Sequence, residues 1–204
     1  MGEWAVRMQG KEALSLAFRS SLMYLIFTLL FSLLAFLYPL RGGPSFPSDI
    51  CIPCELAKNA IIGLGTGLFS FNLTMILTAT AFTTLIDADH IPQFLGFNVY
   101  GRPAHSIIFI VLSSVLIALL SRKRRNEALA SGLITASAGL SHLALDTFAG
   151  GPVFPLFMPL AGVEVILPDS IWILFQTIAI LLAFISGIQI RKSTALVWKL
   201  DRSS

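Results

Sequence analysis

The amino-acid sequence predicts an all-α protein that crosses a membrane with about five or six helices. Of its 204 residues, 55% are apolar and only 12% are charged, and the mean hydropathy is +0.82. A soluble globular domain carries about 25% charged residues, so this chain has too few charges to cover its surface in water. Several apolar segments are long enough to span a bilayer, and cations are grouped where these segments end.

The first apolar segment, at 13–38, predicts a helix that is retained in the protein. No small-residue cleavage site follows it, so the segment does not match a signal peptide. A loop rich in Gly, Pro and Ser comes next, at 41–53. We therefore divide the chain into an N-terminal helix and loop (1–55), a helical membrane core (56–192) and a tail (193–204).

Residues 56–86 form an apolar segment that is long for one regular span. Glycines and one polar residue interrupt it, at Gly63, Gly65, Gly67 and Asn72. A hairpin of two short helices fits this pattern best, and one long tilted helix is the alternative.

Three further segments, at 107–120, 128–148 and 171–190, predict the remaining helices. The second of these is rich in small residues, which favours a place inside the bundle because small residues let membrane helices approach closely. The stretch 153–168 holds three prolines and predicts an irregular or re-entrant segment. Such backbone is tolerated at membrane depth only beside protein or a wet cavity.

The grouped cations predict the orientation of the chain. The run at 122–125 and the pair Arg191-Lys192 each follow an apolar segment, which is typical of cytoplasmic helix ends. Both termini are then cytoplasmic, and the loop at 41–53 is outside. Nucleic-acid binding is the competing interpretation of the run at 122–125, but no aromatic interleaving or second basic face accompanies it. Membrane lipid is therefore the expected partner, with no nucleic acid, and the oligomeric state is left open.

The three histidines of the chain each have polar or acidic neighbours. His90 closes an Asp-x-Asp-His sequence, and His142 precedes Asp146 by four residues, which places both side chains on one helix face. Imidazole nitrogens and carboxylate oxygens are common ligands of zinc and similar divalent ions. A single histidine is more often a satisfied core or surface residue. The three together predict a metal site for one or two divalent ions, zinc first, formed by Asp87, Asp89, His90, His105, His142 and Asp146.

The position of Asp146 strengthens this prediction, because an uncompensated charge in an apolar helix is costly and carboxylates there normally face a cavity and a partner. With the orientation given above, the metal site lies near the exterior face of the cell membrane.

Four other polar residues have two or more interpretations each. Arg102 is either a loop cation or a residue that holds an anionic substrate group, since guanidinium matches phosphate in a bidentate manner. Ser106 is a candidate substrate contact, but its context fits a helix start or a hydrogen-bond donor beside the site better than a nucleophile. Cys51 and Cys54 form either a local disulfide, two unlinked thiols or, least favoured, metal ligands.

The order of these motifs resembles the inner-membrane metal-dependent hydrolase family, also called the YdjM-like family. The resemblance is carried by Asp87-Ala88-Asp89-His90, by Arg102-Pro103-Ala104-His105-Ser106, and by Ser141-His142-Leu143-Ala144-Leu145-Asp146 with the following Gly150-Gly151-Pro152. It covers about 58–168, roughly half of the chain. It implies a helical membrane protein related to zinc-dependent phospholipase C and P1-type nuclease folds. Such a protein would hydrolyse a phosphoester, with a lipid as the candidate substrate. An early family histidine corresponds best to Asn59 here.

The first functional hypothesis is accordingly a membrane-embedded, metal-dependent hydrolase of phosphoester bonds in lipid-like substrates. Asp87 or Asp89 is the candidate general base on the attacking water, and Arg102 would position the phosphate. The alternatives are a transporter or ion or proton pathway, and a structural membrane protein with a metal site. Against transport, the sequence shows no internal repeat, and its polar residues cluster at one depth.

Overall fold

The computed structural model describes residues 3–36, 51–95, 102–121, 125–149 and 153–201. Most of the loop at 41–53, most of the cation run at 122–125 and the Gly-Gly-Pro break at 150–152 lie outside the described residues.

The described chain is predominantly helical, as the sequence predicts. In chain order the helices are α1 (Glu3–Ser32), α2 (Ile52–Leu68), α3 (Leu73–Leu85), α4 (Ile91–Phe94), α5 (Ile107–Leu120), α6 (Arg125–Phe148) and α7 (Ile171–Asp201). Short 3-10 helices follow α1, α3 and the loop before α5, at Leu33–Phe36, Ile86–His90 and Pro103–His105. Two strands, β1 (Val153–Phe154) and β2 (Val165–Ile166), separate α6 from α7.

Three of the described helices are long and apolar enough to cross a membrane. They correspond to Leu14–Ser32 in α1, Asn126–Phe148 in α6 and Ile171–Lys192 in α7, while Ile107–Leu120 is apolar but shorter. A regular span needs about 20 apolar residues, so α2, α3 and α5 are individually too short for an untilted crossing. The all-α, membrane-compatible fold is confirmed, and the full count of five or six spans stays a prediction.

The segment at 56–86 is a hairpin of two helices, as the first interpretation of its glycines proposes. The turn between α2 and α3 includes Phe71 with a positive φ of 51°. Asn72 then caps α3 by accepting the backbone N–H of Met75 at 3.2 Å. The glycines that interrupt α2 allow α3 to approach, since a Cβ at Gly67 would lie 2.9 Å from Ile76 Cα.

Helix α6 lies at the centre of the bundle and contacts α2, α3, α5 and α7. In the membrane-length apolar stretch of α6, 61% is buried inside the structure, whereas the corresponding figure is 22% in both α1 and α7. This confirms the interior place that its small residues predict. Gly139 illustrates the reason, because a Cβ there would lie 2.6 Å from a side-chain carbon of Ile110 in α5.

Helix α1 packs against α3, α5 and the 3-10 helix at Ile86–His90 through aromatic side chains. The fully buried Tyr24 ring stacks on Phe82 of α3, with 4.1 Å between ring centroids, and meets the edge of Phe109 of α5 at 5.6 Å. Phe27 stacks on the same Phe109 ring at 5.3 Å. The N-terminal helix is therefore part of the main hydrophobic core.

A closed ring of buried polar side chains joins three helices inside the bundle. Thr66 of α2 and Ser141 of α6 share a hydrogen bond of 2.7 Å, and the Ser141 hydroxyl donates to the Gln176 side-chain oxygen at 2.9 Å. Gln176 of α7 completes the ring by donating from its amide nitrogen to Thr66 Oγ1 at 2.9 Å. Each polar group is thus satisfied within the apolar bundle, which fixes how the three helices are rotated against each other.

The proline-rich stretch is irregular, as predicted, and contains the two short antiparallel strands. Val153 pairs with Ile166 and Phe154 with Val165. Beyond β1, the backbone N–H of Ile107 donates to the carbonyl of Leu156 at 3.0 Å, which fixes the stretch to the first turn of α5. The re-entrant position of this stretch in a membrane stays a prediction.

Cys51 and Cys54 form a disulfide immediately before and within the first turn of α2. Of the three interpretations of this pair, the structure therefore has the local disulfide.

Candidate metal centre

Four side chains from three parts of the chain direct donor atoms at one point. Asp87 comes from the 3-10 helix after α3, His105 from the one before α5, and His142 and Asp146 from adjacent turns of α6. The Nε2 atoms of His105 and His142 are 2.9 Å apart, and each is 3.2 Å from Asp87 Oδ1. The carboxylate of Asp146 lies 3.4 Å from His105 Nε2 and 3.7 Å from His142 Nε2.

The separations among His105 Nε2, His142 Nε2 and Asp87 Oδ1 are close to the edges of a tetrahedron around a small cation, and the Asp146 carboxylate lies slightly farther out. Zinc binds imidazole nitrogen and carboxylate oxygen at about 2.0–2.2 Å, which places tetrahedral ligand atoms about 3.3 Å from one another. The observed range of 2.9–3.7 Å brackets this value. The donor set of two imidazoles and two carboxylates therefore fits a divalent ion such as zinc.

The second ring nitrogen of each of these two histidines has its own partner behind the site. Nδ1 of His105 lies 3.1 Å from Asp89 Oδ2, and Nδ1 of His142 lies 2.9 Å from the backbone carbonyl of Thr83. A carbonyl only accepts, so His142 carries its proton on Nδ1, and the carboxylate favours the same tautomer for His105. Both Nε2 lone pairs then face each other, an arrangement that requires a proton or a metal ion between them.

Asp87 and Asp89 have different surroundings although they are two residues apart. The Asn59 amide donates to Asp87 Oδ2 at 2.5 Å, which leaves Oδ1 directed at the two imidazoles. Asp89 Oδ2 accepts the backbone N–H of Ala104 at 3.2 Å and contacts the outer face of the His105 ring. Asp89 Oδ1 is buried and makes no hydrogen bond within the described part of the chain.

Arg102 forms an ion pair with Asp146 at the side of the site. Its guanidinium also lies over the Phe154 ring of β1, 5.9 Å from the centroid. Three carboxylates and one guanidinium, with neutral histidines, leave the site with two negative charges. One divalent cation neutralises this charge, which a poorly solvated site requires.

The site has one open side. The side chains of Asp87, Arg102 and Asp146 are 24%, 16% and 18% exposed, whereas those of His105, His142 and Asp89 are fully buried. The mouth of the site is defined here as Asp87, Arg102 and Asp146. A ligand that enters therefore meets two carboxylates and a guanidinium before it reaches the imidazoles.

The pKa values of the groups outside the spanning helices reflect this crowding. Burial alone would raise the pKa of Asp87, but the charges of His142 and His105 and their hydrogen bonds lower it well below its usual range. Burial and the Arg102 charge act to lower the pKa of His105, yet the charge of Asp89 and hydrogen bonds to Asp87 and Asp89 raise it to about 9. Without a metal ion a proton is thus held between the rings, and metal and proton compete for this place.

No protein-family model, curated protein or solved structure matches the chain. The chemistry of the site is therefore judged from its own donor atoms and their partners.

The remaining residues predicted for the site lie around the four donors. His90 Nε2 is 3.8 Å from Asp89 Oδ1 and 3.9 Å from Asp87 Oδ1. Ser106 is buried and caps α5 by accepting the backbone N–H of Phe109 at 3.0 Å. The six predicted metal residues fall into two groups that share His105 and could each hold an ion: Asp87, Asp89, His90 and His105, and His105, His142 and Asp146. Arg102 pairs with Asp146, and Ser106 lies at the adjoining helix start.

Sequence reasoning missed the Thr83 carbonyl and the cation–aromatic contact of Arg102 with Phe154. Every residue has a backbone carbonyl, so nothing in the sequence marks the one that orients a histidine. Asn59 stands where the resembled family has a histidine. In the structure its amide donates a hydrogen bond to Asp87.

Replacing Asp89 by Asn tests the supporting hydrogen bonds. The variant keeps the shape of the side chain but removes the charge that favours the Nδ1-protonated His105. We expect zinc affinity to fall about 10–100-fold, the usual cost of losing such a partner. Competition with a chromophoric chelator measures the affinity, and Asp169→Asn, at an exposed carboxylate, is the matched control. Unchanged affinity in Asp89→Asn would show that this carboxylate does not tune His105.

Proposed function

We propose that this protein is a membrane-embedded, metal-dependent hydrolase of phosphoester bonds, with lipid-like phosphoesters as its first candidate substrates. The observation that carries the proposal is the pair of His105 and His142 Nε2 atoms, 2.9 Å apart, with two carboxylates beside them and an open mouth. A site with a purely structural metal is normally closed, whereas a catalytic site leaves one side open.

His105, His142 and Asp146 would hold the ion, with zinc the first choice, and the fourth position would be left to water or substrate beside Asp87. A divalent ion in such a site supplies Lewis acidity toward a phosphoryl oxygen and lowers the pKa of a bound water. Asp89 and the Thr83 carbonyl keep the two imidazoles in the tautomer that presents Nε2. In this proposal Asp89 orients His105 and is neither a ligand nor the base, because its contacts lie behind the ring.

Arg102 would bind the anionic part of the substrate at the mouth. Its guanidinium is held by Asp146 on one side and Phe154 on the other, and its Nε is buried without a hydrogen-bond partner in the described chain. Guanidinium recognises phosphate oxygens through paired N–H groups. Asp87, the most exposed carboxylate of the site, is the candidate that accepts a proton from the attacking water.

The resemblance to the inner-membrane metal-dependent hydrolases supports this proposal, and the cation groups support a site near the exterior face with cytoplasmic termini. A transporter remains the second candidate because buried Asp and His residues also serve as proton or cation relays.

Metal content and turnover test the proposal together. We expect the gently purified protein to contain about one zinc ion per chain, because His105, His142 and Asp146 form one group of donors that could hold it. Elemental analysis measures the ion, and a panel of phospholipids and model phosphodiesters measures hydrolysis. Chelation should abolish turnover, and added zinc should restore it. Hydrolysis that survives complete removal of the metal would refute the mechanism, and a metal-loaded protein inactive on the whole panel would favour transport or structure.

A further inference from the structure

The loop between β1 and β2 carries apolar side chains on its outside. Three of them, Phe157, Leu160 and Val163, are exposed, and together with Ile166 of β2 they form what is here named the apolar tip. Leu160 and Ile166 are 82% and 77% exposed, and Glu164 is the only charged residue between Val153 and Pro168. A loop that faces water is normally polar, and a contiguous exposed apolar surface marks a contact with another apolar phase.

The apolar tip is held in place relative to the metal centre. Phe154, at the start of the loop, is fully buried and lies beneath the Arg102 guanidinium. The Leu156 carbonyl accepts the N–H of Ile107, two residues after His105. The loop therefore begins at the mouth and cannot move far from it without breaking these contacts.

The helices on either side of the loop place it at the level of a membrane boundary. The loop connects the end of α6 to the start of α7, two of the helices that are long and apolar enough to cross. Phe148 and Trp172 meet edge to face across these two helix ends, with 5.3 Å between centroids. Aromatic residues, Trp above all, are enriched where helices leave the hydrocarbon.

Exposed apolar side chains recur at the start of α7, beyond the exposed Asp169 and Ser170. Ile173 and Leu174, in the first turn of that helix, are both more than half exposed, and Ile166 lies shortly before them in the chain. A bilayer that surrounds α7 therefore reaches the loop, and it supplies the apolar phase that these exposed side chains require.

From the exposed apolar tip and its place between two membrane-length helices we propose that the tip inserts into the boundary between lipid headgroups and acyl chains, and that the site draws the phosphoester of a membrane lipid from that layer. The lipid phosphate would meet Arg102 while its apolar part stays against the tip. The choice of substrate rests on the proposed hydrolase function, whereas the insertion of the tip does not.

Depth measurements with spin labels test the insertion without any assay of activity. The two cysteines of the chain are joined to each other, so Leu160→Cys introduces a single reactive thiol. The labelled full-length protein is placed in vesicles of phosphatidylcholine and phosphatidylglycerol, and collisions with oxygen and with a water-soluble nickel chelate are compared. We expect the label at 160 to favour oxygen at least fivefold more than a label at Lys58→Cys, a control at an exposed, ion-paired position. Equal access of the nickel chelate to both labels would overturn the proposal.

The delivery of lipid is tested by charging the tip. Leu160→Glu combined with Ile166→Glu alters exposed side chains outside the metal centre, so the fold and zinc content should persist. We expect hydrolysis of vesicle phospholipid to fall at least tenfold, with hydrolysis of a soluble phosphodiester unchanged. Leu73→Glu, an exposed apolar position at the start of α3, controls for an added charge elsewhere. Equal loss on both substrates, or no loss on either, would contradict delivery by the tip. If the wild type hydrolyses neither substrate, the hydrolase proposal fails, and the spin labels still decide the insertion.

Discussion

His142→Ala should lose both the bound zinc and at least about 100-fold of the hydrolytic rate, more than the loss of an outer hydrogen-bond partner costs. The His142 ring supplies one of three donors, and its Nε2 lies 2.9 Å from that of His105 and 3.2 Å from Asp87 Oδ1. Without it only two donors remain to hold the ion. Asp146→Ala should behave alike, because its carboxylate provides another donor from the next turn of the same helix.

Zinc analysis and phosphodiester turnover of the purified variants measure these losses, with melting temperature as the check on folding. Asp146→Ala should also lower the melting temperature, because it leaves the mostly buried Arg102 guanidinium without its ion-pair partner. Asp169→Ala, at an exposed carboxylate, is the control, and His90→Ala tests the histidine of the other possible metal group, whose Nε2 is 3.8 Å from Asp89 Oδ1 and 3.9 Å from Asp87 Oδ1. A zinc loss in His90→Ala equal to that in His142→Ala would place His90 among the ligands. Full activity in Asp146→Ala would remove that residue from them.

Gly63→Ala and Gly65→Ala should change stability in opposite directions although they lie two residues apart in α2. A Cβ at Gly63 would lie 2.8 Å from both the Ala79 carbonyl oxygen and Thr80 Cα, so the backbone of α3 must shift. We expect a loss of about 1–3 kcal/mol, the usual cost of overpacking. A Cβ at Gly65 meets nothing within 4 Å, so Ala there should stabilise the helix by about 0.5–1 kcal/mol.

The displacement in Gly63→Ala should also reach the metal centre. Thr83, on the same face of α3, accepts the His142 Nδ1–H at its carbonyl and donates its hydroxyl to the Asn59 carbonyl at 2.8 Å. Zinc affinity should therefore fall in Gly63→Ala and stay unchanged in Gly65→Ala. Thermal unfolding and chelator competition on both variants measure the two effects. Equal melting temperatures for the two variants would show that α2 and α3 are not in close contact there.

Much of the fold could be predicted from the sequence because its signals are local. Glycines and Asn72 inside an apolar segment indicate a turn, and the α2–α3 hairpin follows from them. The small residues at 128–148 likewise predict the central place of α6, since close packing needs small side chains. The number of membrane crossings could not be predicted as well from the sequence, because a short helix such as α5 is as apolar as a full span but lacks its length.

The identity of the site residues could be predicted, but their separate roles could not. Three histidines with acidic neighbours are conspicuous in an apolar chain, and the structure brings them together. The sequence does not distinguish Asp87 from Asp89. The 3-10 helix nevertheless directs Asp87 toward the imidazole Nε2 atoms and Asp89 toward Nδ1 of His105. Which oxygen reaches which ring depends on tertiary packing, which a motif does not encode.

The aromatic contacts of α1 have a consequence for how the protein is made. Tyr24 is synthesised well before Phe82 and Phe109, and at about 5–20 residues per second its partners follow on the order of ten seconds later. Meanwhile α1 can reside alone in lipid, because hydroxyls such as those of Ser21 and Thr28 donate to carbonyls one turn earlier in the same helix. Helix α1 therefore emerges before α3 and α5 and offers an aromatic surface onto which they can dock.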